Sequence, residues 1–187
     1  MGYALAEAAK DLKMEVYLIS GPVNLPCPEG VKLYKVETAD EMLEKMEANF
    51  EFADLVIMSA AVSDHKPHTR HNQKLRKDKM PRKIILERNP DILKTLSSKK
   101  KNKIVVGFAA ETHEVMKSAK RKLKEKNLDW IVANDVSQQG IGFSAEYNEV
   151  ILIGADGTEK QFPLTEKAII AKEILKIIYP LCLEKAL

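Results

Sequence analysis

Only two cysteines, Cys27 and Cys182, occur in 187 residues, far apart and outside any metal-like spacing. No disulfide framework can be read from them, and free thiols of this kind fit a reducing cytoplasm. Aromatic residues are scarce at 6%, so aliphatic side chains must fill the core. No apolar run approaches the roughly 20 residues that a membrane-spanning helix needs. The N-terminus lacks a basic region followed by an apolar block, so no secretory signal is expected and a cytoplasmic protein is. Charge of one sign is also missing: 30 Lys and Arg against 27 Asp and Glu leave a net charge of +3, too small by itself to argue for a nucleic-acid binder. No Gly-x-Gly-x-x-Gly occurs, and no tyrosine is followed four residues later by lysine. Both signatures of nicotinamide-dependent oxidoreductases are therefore absent. The remainder, 45% hydrophobic and 30% charged, describes one ordinary globular domain, and no linker or internal repeat divides residues 1–187.

The pattern of what is present alternates strands with helices. Gly2 to Leu12 is Ala-rich, with Leu5, Ala8, Ala9 and Leu12 at helical spacing. Glu15–Ser20, Val31–Val36, Leu55–Met58, Ile104–Phe108 and Trp130–Asn134 read as strands. Thr38 with Glu41 has the spacing of a capping box ahead of a helix beginning at Ala39. Asn89 is expected to cap a short helix that has Pro90 in its first turn. A longer helix is expected from about His113 to Lys126, and a last one from Thr165 to Ile178, stopped by Pro180. Val150–Ile153 and Thr158–Phe162 flank Gly154-Ala155-Asp156-Gly157, a hairpin signature. The succession implies an α/β fold, a parallel sheet with helices on both faces and a late hairpin. Ligands of such sheets sit beyond the carboxyl ends of the strands. There the segments Ser20-Gly21, Ser59-Ala60-Ala61, Gly107 to Glu111 and Asn134-Asp135 offer small residues that let a ligand approach the backbone.

Several groups could carry chemistry. Met58-Ser59-Ala60-Ala61 leads an apolar strand through small residues to Asp64, which could serve a sugar hydroxyl or a magnesium ion or be merely solvated. Ser63 to Lys83 is nearly free of apolar residues and reads as a long mobile loop. From Lys66 it carries Arg70, Lys74, Arg76, Lys77, Lys79, Arg82 and Lys83, opposed only by Asp78. It could close over a polyphosphate or remain a solvated charge run; no aromatic is interleaved to stack on nucleic-acid bases. At about 100° per residue, Lys122 and Lys126 lie within roughly 20° of Val115, at the edge of the stripe formed by Val115, Met116, Ala119 and Leu123. That suits an anionic ligand, or simply dipole compensation with snorkelling stems. His65, His68 and His71 have a spacing that suits a metal only if the loop turns helically, and the neighbouring cations oppose it. The turn Asn89 to Ile92 could also present amides to a ligand.

Taken in order, these segments resemble the phosphopantothenate–cysteine ligase (phosphopantothenoylcysteine synthetase) domain. Met1-Gly2 resembles the end of the family's Ser-Ser-Gly-Lys-Met-Gly motif. Ser20-Gly21-Pro22-Val23 with Leu25-Pro26, Ala60 to Asp64, Lys74 to Lys77, Asn89 to Ile92, Gly107 to Thr112 and Ala133 to Ser137 follow at family-like spacing. The resemblance implies a Rossmann-like three-layer fold and CTP-dependent joining of 4′-phosphopantothenate to cysteine through an acyl-cytidylate, in coenzyme A biosynthesis. It assigns CTP to the backbone of Met58, Ser59 and Ala60 with Asp64, which would also meet Mg2+. Pro90, Asp91, Ile92 and Leu93 would contact the nucleotide, Phe108 would pack near it, and Lys122 and Lys126 would face its phosphates. Lys74 would act at the active site and on a closing flap. A homodimer is implied, as is association with a flavin-dependent phosphopantothenoylcysteine decarboxylase, with no nucleic acid or membrane as partner. Relatives place a strand, a glycine-rich loop, an Arg and an Asn ahead of the Ser-Ser-Gly-Lys turn; none is found in these residues, so the domain is expected to be N-terminally incomplete.

Overall fold

Alternation along two strands sorts the core into layers. In β6 (Ile104–Glu111), Ile104 and Val106 enter one apolar cluster and Val105 the other. In β7 (Trp130–Asp135), Trp130 and Val132 join the first cluster, Ile131 and Ala133 the second. Both strands are nearly continuous apolar runs because both of their faces are covered. A computed structural model describes residues 1–71, 73–77, 80–135 and 146–185. On one face lie α1 (Gly2–Asp11) and α5 (Lys167–Lys185), with Leu5, Ala8, Ile170, Ile174 and Ile178 buried against the sheet. On the other lie α2 (Ala39–Phe50), α3 (Ile92–Ser97) and α4 (Val115–Glu125), contributing Met42, Phe50, Leu96, Ala119 and Leu123. The architecture is the expected three-layer α/β fold.

The central sheet has five strands in the order β3-β6-β7-β8-β9, where β3 is Leu55–Met58, β8 Tyr147–Gly154 and β9 Glu159–Glu166. β3, β6 and β7 run parallel; the hairpin β8–β9 adds antiparallel strands at one edge, turning where Gly154 to Gly157 was expected to turn. β1 (Tyr17–Ser20) and β2 (Lys32–Lys35) pair in parallel as a separate two-stranded sheet. Among the described residues β1 pairs only with β2 and β3 only with β6, so each keeps one edge without a strand partner. At the far edge, Val150 pairs with Phe162 but Asn148 with Thr165, so Pro163 and Leu164 together oppose Glu149 in a bulge.

Local rules held where the signals were strong. Thr38 Oγ1 accepts the Glu41 amide at 3.1 Å while the Glu41 carboxylate accepts the Thr38 amide at 3.4 Å, closing the capping box. Three expectations are corrected. Pro180 does not stop the last helix, which continues to Lys185. Ile178 and Cys182, one turn apart, are both buried and hold the final turns on the sheet while Pro180 faces solvent. Burial also pushes the Cys182 thiol up to about 11. Asn89 is not the cap of α3; Asp91 is, its carboxylate accepting the Lys94 amide at 3.0 Å. The stretch from Ser63 is not all loop: β4 (His65–Pro67) pairs antiparallel with β5 (Leu86–Arg88). β5 begins only at Leu86, and Ile84 and Ile85 ahead of it are exposed.

Candidate active site

Because β3, β6 and β7 are parallel, Met58, Glu111 and Asp135 finish at the same edge of the sheet. Met58 is level with Gly107, so Phe108 to Glu111 overhangs the turn that follows β3. In that turn Met58 and Ser59 are half-buried, and Ala60 and Ala61 are exposed. The first turn of α1 abuts it: a Cβ at Gly2 would come within 2.9 Å of Ser59 Oγ. Tyr3 donates to Ser20 Oγ at 3.2 Å, tying α1 to the end of β1 as well. Gly107 serves packing rather than ligand approach, since a Cβ there would lie 2.8 Å from both Leu93 and Leu128. Phe108 packs on the α1–α5 side.

The two lysines chosen by helical spacing do lie at the rim of the buried stripe of α4. Ala119 and Leu123 are buried, and the Lys122 and Lys126 side chains are 34% and 30% exposed. Each is held by a carboxylate. Lys122 donates to Glu111 at 2.6 Å, and Ser118, one helical turn earlier, donates to the same oxygen at 2.8 Å. Burial works to raise the Glu111 carboxyl, but the hydrogen bonds from Lys122 and Ser118 outweigh it and hold the group below its ordinary value. Lys126 pairs with Asp91 at 3.0 Å. Asp91 therefore caps α3 and anchors the end of α4 together. Ile92 and Leu93 are 2% and 7% exposed, so their contribution to any ligand would be backbone; Pro90 is half-buried beside them.

Glu111 and Ser118 had no role in the sequence reading. Ser118 and Lys122 share a helical face at a spacing of four, which hints at a common partner; Glu111 is reached only through the fold. Asp64 and Lys74 stand exposed, outside this ion-paired cluster. The basic stretch is less uniform than its sequence. Lys66 pairs with Asp40 of α2, whose hydrogen bond raises the Lys66 ammonium above its usual range. Glu87 lies 3.8 Å from Lys66, and Arg70 is 3.7 Å from Glu37. Asn72, Asp78 and Lys79, and residues 136–145 with Val136 and Ser137, lie outside the described residues.

Histidine spacing does not produce a metal centre: His65 is in a strand, and His68 Nδ1 is 2.8 Å from Glu87. Among the described residues no group of three or more His, Cys, Asp or Glu side chains converges. A lone Asp64 carboxylate fits a magnesium ion carried on substrate phosphates, which uses one or two carboxylates and water, rather than a protein cage. At the opposite end of the strands a cavity of about 580 Å³ is lined by Glu51, Asp54, Lys101, Asn102, Lys103, Cys182 and Lys185, acids and bases mixed. No described helix is long and apolar enough to cross a membrane.

Residues 1–181 match the model of the DNA/pantothenate metabolism flavoprotein C-terminal domain. The chain is 45% identical over 179 residues to the coenzyme A biosynthesis bifunctional protein CoaBC of Bacillus subtilis (strain 168), covering 95% of this chain and 44% of that protein. It is 45% identical over 184 residues to the protein of that name from Vibrio vulnificus (strain CMCP6), covering 97% and 46%. It thus spans a little under half of each relative. A crystal structure of the C-terminal domain of CoaBC superposes with a TM-score of 0.80 at 41% identity, over 95% of this chain and 79% of that one. A DNA/pantothenate metabolism flavoprotein from Streptococcus pneumoniae, 19% identical with a TM-score of 0.79, shares the fold. The chain belongs to the DNA/pantothenate metabolism flavoprotein C-terminal domain family and matches the C-terminal domain of bifunctional coenzyme A biosynthesis proteins.

Proposed function

We propose that this domain carries the ligation of 4′-phosphopantothenate to cysteine at the expense of CTP. The observation that supports the reading most is the cluster in which Lys122 and Lys126 are half-buried, paired with Glu111 at the end of β6 and with Asp91 before α3. In the first step the 4′-phosphopantothenate carboxylate attacks the α-phosphorus of CTP, and pyrophosphate leaves. In the second the cysteine amine attacks the acyl carbon of the acyl-cytidylate, and CMP leaves. The small residues Ser59 and Ala60 let nucleotide approach backbone amides, and the backbone from Pro90 to Leu93 borders it, with Phe108 alongside. Lys122 and Lys126 exchange Glu111 and Asp91 for phosphate oxygens, a trade of one charge-assisted bond for another. Asp64 would meet a magnesium ion carried on CTP, which would offset triphosphate charge. Lys74 reaches the activated acyl phosphate from the excursion between β4 and β5 and stabilises charge as it develops there. Holding both reactants in a closed site supplies much of the rate by positioning.

A homodimer and fusion to a flavin-dependent decarboxylase are part of the same proposal; that the relatives are bifunctional proteins more than twice this length supports the second. The test is pyrophosphate release from CTP by the encoded full-length polypeptide. Phosphopantothenate alone is expected to give a single stoichiometric release, and cysteine to convert it into continuous turnover. Release without phosphopantothenate, turnover indifferent to cysteine, or nucleotide bound at the cavity beside Cys182, would overturn the reading.

A further inference from the structure

The ribbon β4–β5 does not end with its last strand pair. Its register, His65 opposite Arg88 and Lys66 opposite Glu87, continues one step to Asp64 opposite Asn89, where the Asn89 amide donates to the Asp64 carbonyl at 2.8 Å. Pro90 follows and has no N–H. The next donor is the Asn89 side chain, whose Nδ2 reaches the Ser63 carbonyl at 2.8 Å. One residue thus holds two successive carbonyls of the segment that carries Asp64. The amide can take only this orientation, because turning it over would set its oxygen against the Ser63 oxygen. Its own Oδ1 is buried with no hydrogen-bond partner among the described residues, so the donor side alone fixes it. On the far side of Pro90, Asp91 caps α3 and pairs with Lys126. The turn therefore joins the Asp64 segment to a helix whose end anchors an α4 cation.

We propose that Asn89 is a positioning residue for Asp64: by holding the Ser63 and Asp64 carbonyls it fixes where the Asp64 carboxylate meets magnesium–CTP. This rests on the assignment of Asp64 made above. Residues that orient a metal-contacting carboxylate are worth about tenfold to a hundredfold in metal affinity when removed. Asn89→Ala, Asp64→Asn and the double variant of the full-length protein are compared by CTP titration calorimetry, with magnesium and with EDTA. Asn89→Ala is expected to weaken binding about tenfold in magnesium, to leave binding in EDTA unchanged, and to add nothing in the Asp64→Asn background. Losses that add, or an equal loss with and without magnesium, would overturn the inference while leaving Asp64 in place. Asp64→Asn without effect in magnesium would overturn the site reading and the inference with it. Asn89→Asp keeps the shape and removes the donor, and serves if the alanine variant does not fold. Failure of both to fold would mark Asn89 as a structural residue and end the proposal.

Discussion

Lys122 and Lys126 on α4 carry the same charge as the lysines between β4 and β5, in opposite surroundings. The helix lysines are two-thirds covered and each is set by a carboxylate, so their ammonium positions are defined before any ligand arrives. Lys74 and Lys77 are exposed on a connection anchored at its base by the β4–β5 ribbon. The first arrangement is suited to binding, since an anion need only replace a partner already present. The second is suited to a group that must travel to charge which exists only part-way through a reaction.

Breaking that division should show first in turnover. Lys74→Ala is expected to lower pyrophosphate release by roughly 10²–10³-fold, the scale of one lost transition-state donor, with CTP affinity changed far less. A variant that loses affinity and turnover equally would put Lys74 among the binding groups. Next comes stability. Lys122→Met leaves the largely covered Glu111 carboxylate without its ion partner, which should cost on the order of 1–3 kcal/mol in urea unfolding. Lys74→Met should stay within about 0.5 kcal/mol. Equal values for the two would erase the contrast between them.

Amide exchange sharpens the comparison further. Amides of Gln73 to Lys77 are expected to exchange freely without ligand and to slow when CTP and phosphopantothenate are both present, while those of α4 stay protected throughout. Protection already high in the free protein would remove the flap. The smallest effect is in acid. The folded-state Glu111 value lies below its ordinary 4.5. Its contribution is therefore complete above that value and fades as pH falls through the lowered one. Glu111→Gln should flatten the drop in melting temperature below pH 4.5 relative to the parent chain; parallel curves would show that Glu111 titrates alike in both states.

What could be read in advance followed from local periodicity. The α4 stripe put Lys122 and Lys126 at its rim because helical spacing is a property of the chain itself. Ile104–Phe108 and Trp130–Asn134 were legible as strands, but the burial of both their faces came only with the helices packed on either side. Glu111 could not be read, since its partners come from α4 and only the strand-to-helix return brings them within 2.6–2.8 Å. Pro180 misled because proline's local rule gave way to the burial of Ile178 and Cys182 on either side. Asn89 looked like a cap because its neighbours spell a helix start. Its amides are spent across the ribbon instead, and only β4 reveals that.

The bulge at Pro163 bears on how the molecule behaves in crowded solution. β9 is the last strand of the sheet, eight residues long, and among the described residues its outer margin pairs with no other strand. A straight margin of that length would offer a neighbour an unbroken row of amides for sheet-to-sheet accretion. Proline withdraws one donor and the doubled residue opposite Glu149 bends the row. The sheet thus terminates there in a form that resists seeding fibrils, with no covering helix needed on that side.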